Sequence, residues 1–250
     1  MLLGAAEALS RLRSFDGTVY FIFQPAEEHE GGGRVMVEEG LFERFPMDMV
    51  FGLHNWPGLP AGSFGVTEGP VMAGTDRFEI EITGRGGHAA MPHQAVDVVL
   101  AGSPLVQALQ SLVSRNTDPL AAAVVSVTRF HAGHADNVLP ETAVLGGTVR
   151  SLNGELQDAL EAGLRRICRG IEATCQVSIE LRYERGYPPT VNASEPCSIA
   201  REVARQVAAG GQVLTDLPPS MGAEDFAYMA RVVPACYVWL GNGPGEGGCM

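Results

Sequence analysis

Arg77-Phe78-Glu79-Ile80-Glu81-Ile82-Thr83 places an apolar residue at every second position and a charged or polar one between. Period two of this kind specifies a β-strand with one face buried and one face wet. It contrasts with the earlier run Thr18-Val19-Tyr20-Phe21-Ile22-Phe23, β-branched and aromatic almost without a polar break, which reads as a buried strand of a parallel sheet. A half-wet sheet and a fully buried one are different objects, so two folding units are expected. The pattern breaks at Glu68-Gly69-Pro70 and Gly74, which puts a boundary near Val71.

Working outward, the sequence predicts strand 76–83, helix 96–114, strands 122–130 and 142–150, helix 155–174 and strand 176–183. That order is βαββαβ. In the second helix Leu156, Leu160, Leu164, Ile167 and Ile171 form one apolar stripe, which suits helices laid on a single sheet face. A ferredoxin-like split βαβ arrangement follows, with its other sheet face open. Tyr187-Pro188-Pro189 is a stiff return linker, because proline fixes φ and restricts the residue before it.

On either side of this unit the chain alternates helix and strand, which gives an α/β fold class. Helix 2–13, strand 18–24, helix 34–39 closed by Gly40, and strands 49–54 and 63–67 precede it. Helix 196–208, a strand near 213, helix 223–231 and strand 235–240 follow it, ahead of a glycine-rich tail at 241–248. The expected organisation is therefore a first unit made of 1–70 and 187–250, interrupted by an inserted unit at 71–186.

With 250 residues, 46% of them hydrophobic and 18% charged, the chain can bury a sizeable core. Its formal net charge of -12 disfavours nucleic acid or an anionic membrane as a partner. Small molecules, cations or protein are the expected partners. Five cysteines without a CxxC pair read as free thiols in a reducing compartment. The first nine residues lack a basic n-region and carry Glu7, so they read as an amphipathic helix and not a signal peptide, and no window is long and apolar enough to span a bilayer. A cytoplasmic enzyme is the expectation.

The candidate chemistry starts at Gln24-Pro25-Ala26-Glu27-Glu28, directly after the apolar run, where α/β sheets bind ligands. Two adjacent carboxylates repel unless a cation sits between them, the other reading being a solvated acidic turn reinforced by Glu30. His54 follows a second apolar run, 49–53, and can meet them at the same rim. Glutamate oxygen and histidine nitrogen are ligands zinc accepts at roughly 2.0 to 2.2 Å, so Glu28 and His54 can share a metal and leave Glu27 free as general base. Gly84-Arg85-Gly86-Gly87-His88 is either a glycine turn capping a strand or a close approach that makes His88 a donor to a carbonyl oxygen or oxyanion. His131, His134, Asp136 and Asn137 match no zinc spacing. Ser220-Met221-Gly222-Ala223-Glu224-Asp225-Phe226 reads first as a helix opening, with both acids in the first turn facing its positive end. A second reading has Glu224 facing the pocket.

Taken in order, FQPAEE at 23–28, FGLHNWPGLPAG at 51–62, GRGGHAAMPH at 84–93, ADNVLPE at 135–141, GTVRS at 147–151, GYPPTVN at 186–192 and SMGAEDFAYM at 220–229 resemble the M20 metallopeptidase superfamily. The resemblance is to its amidohydrolase branch of hippurate, auxin-conjugate and N-acyl-amino-acid hydrolases. It implies a zinc-aminopeptidase-like catalytic domain with an inserted lid or dimerisation domain, and amide hydrolysis of an N-acyl amino acid. It further implies Glu27 as general base, Glu28 and His54 as metal ligands, His88 and Asn137 completing the site of a partner subunit, and Arg150 binding the substrate carboxylate. Two divalent metals are implied, zinc or else manganese, cobalt or nickel, together with a homodimer formed through the lid.

The family's His-x-Cys-Gly-His-Asp segment would fall ahead of this chain's first helix, and its last metal-ligand histidine just beyond Met250. The expectation is a fragment of a longer enzyme, inactive by itself. The alternative is a non-catalytic dimerising or small-molecule-binding remnant of the same fold.

Overall fold

The computed structural model describes residues 1–28 and 31–244. Glu30, Cys249 and the tail beyond Pro244 lie outside the described residues. Helices α1 Leu2–Leu12, α2 Gly32–Glu38 and α3 Leu41–Arg44 lead into strands β1 Val50–Trp56, β2 Phe64–Gly65 and β3 Gly69–Met72. There follow β4 Gly74–Thr83, β5 Gly87–His88, α4 Val98–Asn116, β6 Ala123–Ala132, β7 Val138–Leu139, β8 Thr142–Ser151, α5 Gly154–Cys175 and β9 Ser178–Arg185. Then come β10 Thr190–Asn192, α6 Ser194–Val207, β11 Val213–Leu214, α7 Ala227–Ala230 and β12 Ala235–Gly241. The fold is mixed α/β. Among the described residues no helix is long and apolar enough to cross a membrane.

The alternating stretch lies in β4, at the interior of an antiparallel sheet ordered β6-β8-β4-β9. Phe78, Ile80 and Ile82 point to one face and are buried against Leu105, Leu109 and Leu112 of α4 and Leu160 and Leu164 of α5. Leu156, Ile167 and Ile171 pack partly against the same core, so the predicted stripe is the face that α5 buries. Asp97 caps α4 by accepting from the Val99 and Leu100 amides, and Asn153 caps α5 by accepting from Leu156 N at 2.7 Å. Each such cap contributes about 1 kcal/mol. Asp76 is buried on the helix side without penalty, because Gln157, the Tyr183 hydroxyl and Gly186 N all donate to it. The opposite face bears Thr75, Arg77, Thr148 and Arg150.

The second sheet is ordered β1-β12-β2-β11 and is mixed, which corrects the expectation of a parallel sheet. β1 runs parallel to β12, β12 antiparallel to β2, and β2 parallel to β11. β12 is its buried centre, all of Ala235–Gly241 being buried except the half-buried Leu240. Trp239 stacks on Trp56 with ring centroids 4.0 Å apart.

Two further expectations are corrected. Residues 18–24 form no strand. β-Branched and aromatic residues favour a pleated, half-buried surface, but a strand exists only through a ladder, and among the described residues none pairs with this run. It lies instead along an apolar cleft of about 740 Å³, shared with α1 and with Phe51 and Leu53 at the outer edge of β1. The helix expected at 223–231 contracts to Ala227–Ala230, because Glu224 and Asp225 are drawn into side-chain bonds described below. The cysteines at 168, 175, 197 and 236 are free thiols.

Candidate active site

A cavity of about 690 Å³ opens between the loops of the mixed sheet and the open face of the β4–β8–β9 sheet. Of the six residues singled out from the sequence, Glu27, Glu28, His54 and Arg150 line it. Distant elements deliver them: the turn after residue 26, strand β1 and strand β8.

The turn carrying Glu27 is held under strain. Ala26 has φ 52, in the left-handed region, which costs a residue with a Cβ about 1 to 2 kcal/mol. Two bonds offset that cost. Gly31 N donates to the Ala26 carbonyl at 3.1 Å, and the Tyr187 hydroxyl donates to the Glu27 carbonyl. The return linker therefore pins the backbone of Glu27 directly. Tyr187 is itself braced edge-on by Tyr228, whose hydroxyl donates to the Gly186 carbonyl at 3.1 Å.

The carboxylates of Glu27, Glu224 and Asp225 come within 4.8 Å of one another. Asp225 is fully buried, accepting from Gln24 Nε2 and, at 2.6 Å, from Gly33 N. That approach needs glycine at 33, where a Cβ would lie 2.9 Å from the Asp225 carbonyl oxygen. Glu224 is also buried and accepts from the Tyr237 hydroxyl at 2.6 Å. Burial first, and then the charges of Glu224, Glu28 and Asp225, push the Glu27 pKa from 4.5 up to about 7. Burial likewise raises Asp225 from 3.8 to about 6, the Gly33 amide opposing and Glu224 adding to the rise. Burial and Glu224 hold the Tyr237 phenol well above its ordinary range, so it stays a donor.

Glu224 and Asp225 correct the reading of 220–226 as a helix opening. Glu224 lines the cavity, as the second reading of this segment expected, and Asp225 lies buried behind it, which local sequence did not indicate. The signal available was the triple glycine at 31–33, which lets α2 close down on the Asp225 carboxylate.

His54 is exposed, and its Nδ1 donates to the Asn55 carbonyl at 2.6 Å. A carbonyl can only accept, so the proton is on Nδ1 and the Nε2 lone pair is free for a cation. Glu28 shares the cavity wall but lies outside the three-carboxylate cluster. The donor set fits a divalent metal. Carboxylate oxygens and an imidazole nitrogen are its usual ligands, and the negative charge crowded around Glu27 is relieved by a positive one.

His88 and Asn137 do not line this cavity. They lie together on the β5–β7 ribbon, where His88 pairs with Val138 and Ala89 N donates to the Asn137 carbonyl at 2.9 Å, and both are exposed. Ala90 N donates to His88 Nδ1 at 3.1 Å, which leaves Nε2–H of the neutral ring as a donor to solvent or to another molecule. Arg150 is half-buried and donates from Nη1 to the Met221 carbonyl at 3.3 Å.

Comparison with known proteins places this geometry in context. The family model for peptidase family M20/M25/M40 matches residues 1–250. Hippurate hydrolase of Campylobacter jejuni is 39% identical over 241 residues, 96% of this chain and 63% of its own length. An N-acetylcysteine deacetylase of Bacillus subtilis is 40% identical over 247 residues, 98% of this chain and 64% of its own. The crystal structure of a dinuclear metal binding peptidase from the M20 family, also of B. subtilis, matches with a TM-score of 0.82 at 36% identity, covering 98% of this chain and 62% of that one. The chain thus spans a little under two thirds of the length of these relatives.

Proposed function

The chain belongs to peptidase family M20/M25/M40, and on that premise we propose that its protein hydrolyses the amide bond of N-acyl amino acids with two divalent metal ions. The observation that carries this reading is Glu27, a carboxylate poised at about 7 by burial and by its acidic neighbours, on the wall that also bears Glu28 and His54. The kind of substrate is supported by the relatives, which are named hippurate hydrolase, N-acetylcysteine deacetylase and N-acetyldiaminopimelate deacetylase.

Glu28 and His54 Nε2 are the ligands we assign to the metals, with Glu224 and Asp225 adding negative charge behind them. When bound, such cations supply Lewis acidity toward the amide carbonyl. Glu27 takes the proton of the attacking water and returns it to the leaving amine, a task suited to a group whose pKa lies near neutral pH. Tyr187 fixes the backbone from which Glu27 reaches. Arg150 holds the substrate carboxylate.

We assign His88 and Asn137 to the carbonyl oxygen of a substrate bound in a partner subunit. Their exposure, their absence from the cavity lining of their own chain and the free Nε2–H of His88 support that role. The antiparallel sheet unit, bounded near Val71 and Gly186, is in this reading an inserted lid through which two copies pair. A reducing, cytoplasmic compartment suits the free cysteines.

The test is release of free amino acid from N-acetyl and N-benzoyl amino acids by the full-length protein with zinc, manganese, cobalt or nickel. Activity that disappears with a chelator and in Glu27→Gln is expected; turnover indifferent to both sinks the proposal.

A further inference from the structure

The cavity wall opposite the acidic floor carries a feature the catalytic reading leaves unused. In the β4–β8 ladder Thr75 pairs with Arg150 and Arg77 with Thr148. Arg77 and Arg150 are therefore diagonal neighbours on the open face, their stems roughly 7 to 8 Å apart, within reach of each other for long side chains. Arg34, Arg77, Arg150 and Arg185 all line the cavity. Arg34 has Glu38 at 3.9 Å, and Arg185 is held by Asp158 at 2.6 Å and Glu161 at 2.7 Å. Among the described residues neither Arg77 nor Arg150 has a carboxylate within 4.0 Å, although Glu184 is the register partner of Arg77 on β9.

Arg150 is half-buried whereas Arg77 is exposed; a half-buried guanidinium without a close counter-charge is costly, and a second guanidinium beside it adds to the cost. Burial and the charge of Arg77 pull the Arg150 pKa below the ordinary arginine value, with the Asp76 carboxylate opposing. A ligand with two negative groups at matching separation relieves Arg150 and engages the exposed Arg77 at the same time, since a guanidinium fork binds carboxylate through charge-assisted pairs.

We propose that Arg77 and Arg150 form a paired anion subsite that selects N-acyl derivatives of dicarboxylic amino acids, Arg150 binding the α-carboxylate and Arg77 the side-chain carboxylate. The substrate class rests on the amidohydrolase reading; the subsite itself does not. Arg77 is a specificity residue, distant in role from the proton transfer at Glu27.

Two measurements on the full-length protein test this. The first is kcat/KM for N-acetyl-L-glutamate against N-acetyl-L-glutamine, which differ at the side-chain carboxylate alone. A preference of about tenfold or more for the glutamate, expressed in KM, is expected, since a charge-assisted pair is gained. Arg77→Met should collapse that ratio toward one, and Arg77→Lys should restore part of it. A ratio near one in the unmutated protein, or one that survives Arg77→Met, overturns the proposal. The second is equilibrium binding of glutarate against butyrate. Tighter glutarate binding that is lost in Arg77→Met upholds the subsite, and equal binding of the two overturns it. If no N-acyl amino acid is cleaved the amidohydrolase reading fails, and the glutarate comparison alone decides the subsite.

Discussion

Replacing Glu27 by glutamine should stabilise the metal-free protein, and only at neutral to alkaline pH. Glu27 has a folded pKa of about 7 against 4.5 for the free side chain. Its folded value is the higher one, so the folded state binds the proton more tightly than the unfolded chain does. The contribution is complete below pH 4.5 and is lost as pH rises through 7. A shift of this size corresponds to about 3 kcal/mol for a fully sequestered group, and water's access to this half-buried side chain reduces it to about 1 to 2 kcal/mol. Glutamine keeps the shape and removes the charge. In a chelator at pH 8.5, Glu27→Gln should therefore melt about 2 to 8 °C above the unmutated protein, taking 2 to 4 °C per kcal/mol for a chain of this size. At pH 4.5 the two should coincide. Asp225, raised to about 6 first by burial, is present in both proteins. Scanning calorimetry from pH 4.5 to 8.5 reads the difference directly. Melting temperatures that track within about 1 °C over the whole range would refute the crowding of charge at Glu27.

Other outcomes follow from the same contacts. Gly33→Ala brings a Cβ to 2.9 Å from the Asp225 carbonyl oxygen, and the displacement should cost about 1 to 3 kcal/mol in urea unfolding. Asp225→Ala leaves the Gly33 amide and the Gln24 side chain without their acceptor, at about 1 to 3 kcal/mol by the same measurement. Ile80→Ala, at a fully buried position of the antiparallel sheet, should cost about 2 to 5 kcal/mol. Tyr187→Phe removes the hydroxyl that pins the Glu27 carbonyl and should lower kcat about fivefold with little change in KM, if about 1 kcal/mol of positioning is lost.

What sequence could reveal depended on how far apart the interacting residues lie. The alternation in β4 and the stripe on α5 are periodic within a single element, and both were legible because each period states which face is buried. The apolar run at 18–23 misled because apolarity is local whereas a ladder partner is not. Asp225 was missed for the same reason, and Glu224 was placed in the pocket only as a second reading. A helix N-terminus was a sound local reading, but Asp225 answers to Gln24 and Gly33, 201 and 192 residues away, and Glu224 to Tyr237, 13 residues further along. Glu27, Glu28 and His54 were singled out because acids after an apolar run and a histidine after another already suggest a cation. Their convergence on one cavity wall needed the tertiary fold.

The central claim is that this cavity takes a divalent cation through Glu28 and His54 while Glu27 handles the proton. Calorimetric titration of zinc or manganese into the metal-free protein at pH 7.5, repeated with Glu28→Gln and His54→Ala, tests it most directly. The account predicts saturable binding that each substitution weakens at least about tenfold. Binding that is absent, or unchanged in both variants, would contradict it.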